Sequence, residues 1–259
     1  MVIDNKELAQ KFISIFKLES PPIAFFYTNN PPIEAYNPKR TSGINFPCII
    51  QFLNGVKSGR TLVLGKHSRN LCPGGLAYLG FKKPIKGLEN FLSTGVPGSK
   101  EGEIIMQGER YAKTPELAKK FLDKIPFRKS PADFAVFMPL DQVNPKQYEP
   151  QIVIFYVKND QLTGLNQLAN FDTLNRTILG IGSACSTIIT EPLAEVENNE
   201  EPRPVLGLLS DVLARRHVKY DEVSFTVGYK KLITMYNNIE ESFLKLDAWK
   251  TISNRIESD

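Results

Sequence analysis

Glu7-Leu8-Ala9-Gln10-Lys11-Phe12, followed by Ser20-Pro21-Pro22-Ile23-Ala24-Phe25, is the stretch that sets the fold class of this chain. Its first part reads as an amphipathic helix: Leu8, Phe12, Ile15 and Phe16 fall near one face, and Asp4 caps it with Glu7 three residues on. Ser20-Pro21-Pro22 breaks the helix, because proline has no amide to donate, and Ile23–Tyr27 then reads as a buried strand. Both parts return at an offset of about 110 residues, as Glu116-Leu117-Ala118-Lys119-Lys120-Phe121 and, less closely, as Ser130-Pro131-Ala132-Asp133-Phe134-Ala135. The repeat predicts two weakly related halves, residues 1–112 and 113–259, joined in one compact unit. Further strands are expected at Thr61–Leu64, Ile152–Val157 and Val223–Val227. A short helix over Phe46–Val56 carries Cys48 near its start, and Leu76–Phe81 continues from Cys72 as a helical turn. A long helical stretch runs from about Asn166 to Ala194 and is broken near Pro192. Glu195–Pro204 reads as an exposed loop and Tyr229–Leu246 as a closing helix. The fold class is therefore α+β (or α/β), with mixed sheets and flanking helices.

Composition narrows the function classes. The 259 residues are enough for a large core, and the formal charge of +4 comes from 32 basic and 28 acidic residues. No basic block with interleaved aromatics stands out, so nucleic acid is not indicated. No apolar run approaches the roughly 20 residues that span a bilayer, so no membrane partner is expected. Met1–Asn5 leads straight into polar helical sequence, which gives no secretory signal and points to a cytoplasmic protein. A homo-oligomer is compatible with the sequence.

Three cysteines, Cys48, Cys72 and Cys185, carry the chemistry. An odd, small number in a reducing compartment argues against a disulfide framework and leaves buried core thiols, a reactive thiol or metal ligands. Cys72 sits in Asn70-Leu71-Cys72-Pro73-Gly74-Gly75, where the glycines let backbone amides approach the sulfur and favour a thiolate. Pro47-Cys48 repeats the proline–cysteine adjacency. Three thiolates suit a cuboidal iron–sulfur cluster with one iron left for another ligand, or zinc completed by a histidine. The spacing by itself matches no zinc or ferredoxin pattern.

Other residues are secondary candidates. His67, five residues before Cys72, is a fourth ligand or proton carrier on this reading, and a solvated turn histidine on the ordinary one. Arg215 and Arg216, with Lys66, are candidate contacts for an anionic ligand, and His217 adjoins them. Gly180-Ile181-Gly182-Ser183-Ala184-Cys185 lacks the third glycine and the flanking strand of a dinucleotide fingerprint; its small residues suit close helix packing around Cys185.

The chain resembles the family known as domain of unknown function 169. The resemblance runs from about Leu18 to Leu246 and rests on the strand near Pro22–Tyr27, the helix begun by Cys48, and the strand Phe137-Met138-Pro139-Leu140. It rests also on the glycine-led helix at Cys185 and, most of all, on Cys72-Pro73-Gly74-Gly75 followed by Leu79-Gly80-Phe81. It implies that all three cysteines occupy the family's cysteine positions. It also implies another cysteine shortly before an arginine in the C-terminal half. Here Leu209-Ser210-Asp211-Val212-Leu213-Ala214-Arg215-Arg216 has none, which leaves an open coordination position, a substitute ligand such as Asp211 or His217, or a degraded site.

The leading expectation is a [4Fe–4S] cluster held by Cys48, Cys72 and Cys185, with the Gly74 and Gly75 amides supporting the sulfurs. It serves electron transfer to a redox partner protein or binding of a small molecule at the open iron. Zinc is the alternative metal. The alternatives without metal are a small-anion binding module and a thiol enzyme using Cys72 as nucleophile. No reaction or substrate follows from these residues.

Overall fold

The computed structural model describes residues 3–38, 47–68, 71–100, 103–173 and 175–258. Phe46, at the head of the expected Cys48 helix, and Arg69 and Asn70, at the end of the turn before Cys72, lie outside the described residues.

Helix α1 (Asn5–Phe16) begins where the Asp4 carboxylate accepts from the Lys6 amide at 3.1 Å. Glu7 does not close a capping box; it accepts from the Tyr236 hydroxyl at 2.7 Å. Strand β1 (Ile23–Thr28) follows the prolines. Next come α2 (Ile49–Lys57), β2 (Leu62–Gly65), α3 (Pro73–Tyr78), α4 (Leu88–Phe91), α5 (Glu103–Gln107), α6 (Pro115–Leu122) and β3 (Phe134–Pro139). Then come β4 (Ile152–Val157), α7 (Asn159–Ala169), β5 (Ile178–Leu179), a π-helical turn (Ser186–Thr190) and α8 (Glu191–Asn198). The chain closes with β6 (Val205–Gly207), α9 (Val212–Arg215), β7 (Val223–Gly228), α10 (Tyr229–Asn237) and α11 (Asp247–Ser258).

The strands form one seven-stranded sheet in the order β2-β3-β1-β4-β7-β6-β5. Among the described strand pairs, only β5–β6 is parallel. Helices flank the sheet, so the fold is α+β, as the sequence predicts. β3, from the second repeat, pairs with both β1 and β2 from the first, so the two repeats share this sheet.

Side-chain alternation along the central strands sends residues to two core layers. On one face Ala24, Phe26, Val153, Phe155 and Phe225 pack under α1, α7, α10 and α11. On the other, Ile23, Phe25, Phe137, Ile154 and Tyr156 pack under α2, α3 and the π-helical turn, and Cys185 belongs to this second layer. Burying a phenylalanine gains about 2–3 kcal/mol, and Phe25, Phe137, Phe155 and Phe225 are all fully buried. Two-sided burial, more than strand propensity, therefore holds β1, β3, β4 and β7 at the centre. No described helix is long and apolar enough to cross a membrane.

Three boundaries differ from the sequence expectation. Asn166–Ala194 is not one helical stretch: α7 ends at Ala169, and β5 pairs with β6 before the π-helical turn begins. Asn170, Asp172, Thr173 and Asn175 compete for backbone hydrogen bonds there, and Gly182 turns the chain with φ 111°. Pro192 does not break a helix but occupies the first turn of α8, where its missing amide is not needed. Glu195 is accordingly buried inside α8, paired with Arg203 at 2.7 Å, and not in an exposed loop. The closing helix stops at Asn237, and a separate α11 follows from Asp247.

Candidate three-cysteine site

Cys48 is the N-cap of α2 and Cys72 the N-cap of α3, each beside the proline that helps to end the preceding extended chain. The two bends are tied together, because the Cys72 amide donates to the Pro47 carbonyl at 3.3 Å. Gly75 makes the approach of α3 to α2 feasible: a Cβ there would stand 2.9 Å from Ile49 Cδ1. Cys185 arrives from the far side of the sheet order, at the start of the π-helical turn. Such turns are over-represented at functional sites. Gly182 positions it, with its carbonyl accepting from the Ser210 hydroxyl at 2.9 Å.

The structure brings the three sulfurs into one electrostatic group. Cys185 donates a hydrogen bond to Cys48; this, more than any other influence, lowers the Cys48 pKa, and it raises that of Cys185 well above the ordinary thiol range. Burial opposes the effect at Cys48, the Ile50 and Gln51 amides assist it, and the negative charge of Asp211 opposes it. Cys48 nevertheless closes no full capping hydrogen bond. Burial raises Cys72, the charges of Cys48 and Glu109 add to that, and the Gly75 and Gly74 amides resist it. Cys185 also feels Cys48, Cys72 and Asp211 as negative neighbours. One thiol thus has its pKa lowered, and the other two have theirs raised.

Asp211 is the candidate that joins the cysteines. As N-cap of α9 it accepts from the Ala214 amide at 2.9 Å, and its other oxygen accepts from the Ala184 amide at 2.9 Å, next to Cys185. His217 lies within electrostatic reach of Asp211, with its pKa lowered by burial and by Arg216. The remaining candidates are placed elsewhere. His67 is exposed in the turn after β2. Lys66 pairs with Asp133 at 2.6 Å. Arg215 is consumed locally, donating to the carbonyls of Lys219, Tyr220 and Glu222, and Arg216 donates to His217 at 3.2 Å. A separate groove of about 610 Å³ runs between α7 and β5, lined by Asn166, Asn170, Arg176, Ile178 and Leu206. It contains none of the predicted residues.

Three further residues of the site are not among the sequence candidates. Glu109 is pushed up to about 7 by burial and by the charges of Asp211 and Cys48. Tyr78 is raised by burial, with its hydroxyl bonded to Ser183 and with Cys185, Asp211 and Glu109 as negative neighbours. Tyr156 is raised by burial and by Glu222, Cys185 and Cys48. For Tyr156 alone a signal existed: a polar tip ending the otherwise apolar run Ile152–Phe155.

Among the described residues, the charges that act most strongly on the three thiols are those of Asp211, Glu109 and the thiols themselves, all negative. A buried group of this kind favours a cation or stays protonated. Among the described residues, no group of three or more His, Cys, Asp or Glu side chains is arranged as a ready-made cage for a metal ion.

The family model described as DUF169, uncharacterised ArCR, matches residues 11–238. The chain belongs to this family. The match covers both cysteine bends, Cys185 and Asp211, so the whole three-cysteine group lies inside the family region. No curated protein and no solved structure is detectably similar to this DUF169 chain.

Proposed function

We propose that Cys48, Cys72 and Cys185 hold a metal centre of the [4Fe–4S] type. The observation that carries this reading is the grouping of three thiols from three parts of the chain, with the carboxylates of Asp211 and Glu109 acting on them. Soft thiolates suit iron–sulfur clusters and zinc, and amides directed at the sulfurs from Ile50, Gln51, Gly74 and Gly75 are the kind of support that tunes a cluster's potential. The residues fit such a group in type and number. Holding it requires Cys72 and Cys185 to lose their protons and the Cys185–Cys48 hydrogen bond to give way. On this reading the substitute fourth ligand is Asp211, whose charge acts on Cys48 and Cys185, or His217, on which Asp211 acts. A cluster supplies one-electron chemistry, or Lewis acidity at an iron without a cysteine.

The test is to replace each cysteine with serine in the full chain and assay colour, iron and sulfide after anaerobic reconstitution. Each of Cys48→Ser, Cys72→Ser and Cys185→Ser is expected to lose the cluster or to yield a visibly altered one. Full, unaltered cluster in any one of them removes that residue from the centre.

A second reading is favoured by one observation, the depressed pKa of Cys48 under the Cys185 hydrogen bond. In a metal-free protein the nucleophilic thiol is then Cys48, while burial holds Cys72 protonated.

A further inference from the structure

Helix α7 carries Thr163, Asn166, Gln167 and Asn170 at spacings of three and four residues, a polar stripe along one face. Such a stripe is ordinary where it meets only water. Here it lines the groove of about 610 Å³, together with the apolar side chains of Leu162, Ile178, Leu179 and Leu206. β5 is the edge strand of the sheet, and Leu179 on it is 62% exposed. The volume falls within the roughly 300–1,000 Å³ of sites that hold small molecules.

The polar groups left free in this groove include a cation and an amide donor. The Thr177 hydroxyl donates to Asn166 Oδ1. The Asn170 side-chain amide donates to the Asn166 carbonyl at 2.7 Å and to Thr177 Oγ1 at 3.2 Å. This network ties α7 to the chain entering β5. It occupies the acceptor of Asn166 and leaves its Nδ2 donor without a partner among the described residues. Arg176 is exposed and has neither a hydrogen bond nor an ion pair among the described residues. The carboxylates nearest to it along the chain or tied to its neighbours are engaged elsewhere. Glu201 accepts from Thr173 and from Asn175, each at 2.9 Å, and Asp172 pairs with Lys231 at 2.7 Å. Among the described residues that line the groove, only Arg176 is charged.

A guanidinium presents five donors in a fixed fork that matches a planar carboxylate, and the aliphatic lining matches an apolar body attached to it. One positive charge balances one carboxylate, whereas a phosphate monoester brings nearly two negative charges. We infer that the α7–β5 groove binds a small organic monocarboxylate with an apolar body. Arg176 and the Asn166 amide donate to the carboxylate, and Leu162, Leu179 and Leu206 pack against the body. This site shares no residue with the cysteine group and stands whether or not the cysteines hold a metal.

The probes are 1-naphthaleneacetate and its neutral counterpart 1-naphthaleneacetamide, which share one ring system and differ in charge. Isothermal titration calorimetry at neutral pH compares their binding to the full wild-type chain, Arg176→Ala, Thr163→Trp and Lys83→Ala. All three positions are exposed, so the variants are expected to melt with the wild type. Wild type is expected to bind the acid at one site and the amide about tenfold more weakly or worse, as loss of a charge-assisted hydrogen bond requires. Arg176→Ala is expected to weaken the acid to the level of the amide and to leave the amide unchanged. Thr163→Trp places a ring in the groove and is expected to weaken both probes. Lys83→Ala removes an exposed cation outside the groove and is expected to weaken neither. Equal binding of acid and amide by wild type would overturn the inference, as would acid binding that survives Arg176→Ala or Thr163→Trp. An equal loss in Lys83→Ala, or folded wild type that does not bind the acid, would overturn it too. None of these results bears on the cluster proposal.

Discussion

Cys185 donates its hydrogen bond to Cys48, and this one contact divides the roles of the sulfurs. Cys48 sits at a helix start with two amides directed at it and is the thiol whose pKa is lowered. Cys185 lies deeper, at the start of the π-helical turn, and keeps its proton. Charge at Cys48 raises both other thiols, so the metal-free site resists becoming a triple thiolate. Loading is therefore linked to proton release, and affinity should rise with pH.

In metal-free protein, iodoacetamide is expected to modify Cys48 faster than Cys72 or Cys185. Mass spectrometry across pH gives the apparent pKa of the reaction. Cys185→Ala removes the principal cause of the depression and should move that pKa upward. A profile unchanged by Cys185→Ala contradicts the hydrogen bond.

Glu109 gives a pH-dependence of stability whose sign is fixed. Burial, with the charges of Asp211 and Cys48, pushes its carboxyl from 4.5 up to about 7. Between these values the unfolded chain has released a proton that the folded protein still binds, so stability falls as pH rises through the window and levels off above about 7. Each pKa unit corresponds to about 1.4 kcal/mol, giving on the order of 3–4 kcal/mol in all. Urea melts of metal-free Glu109→Gln are expected to lose this slope and show greater stability than wild type at pH 8.

The Lys57–Glu222 pair is nearly enclosed, and each partner is the other's compensation. Removing one charge should cost about 3–5 kcal/mol, whereas replacing both by apolar side chains should recover most of it. Equilibrium unfolding of Lys57→Met, Glu222→Leu and the double variant checks this. Additive losses would mean that the two groups are independently solvated.

Gly164 on α7 sets two effects against each other. Alanine should favour the helix by about 1 kcal/mol, but its Cβ would stand 2.3 Å from the Trp249 ring and 2.7 Å from Phe16. Rings packed between α1, α7 and α11 cannot yield cheaply, and overpacking costs about 1–3 kcal/mol or more. A lower melting temperature is expected for Gly164→Ala; a higher one would show that α11 moves aside freely.

The parts of the fold that were legible are those governed locally. Ile23–Tyr27 and Ile152–Val157 announce themselves as apolar runs, and Pro47 and Pro73 mark where Cys48 and Cys72 begin their helices. Asn166–Ala194 misleads because Leu165, Leu168, Ile188, Ile189 and Leu193 all suit helices. Only the pairing of β5 with the distant β6 reveals the strand between them. The approach of Cys185 to Cys48 depends on the sheet order and has no local trace. Glu109 is half-buried through nonlocal packing, its amide donating to the Phe91 carbonyl at 2.7 Å, and nothing in Gly108-Glu109-Arg110 signals it.

The central claim is that the three cysteines hold a cluster. Its most direct test is anaerobic purification of the full chain, followed by its visible spectrum and by iron, sulfide and zinc per chain. Brown protein absorbing broadly near ~400 nm, with about four irons and four sulfides, is the expected result. Protein that stays colourless and free of iron after anaerobic reconstitution, with or without bound zinc, would contradict it.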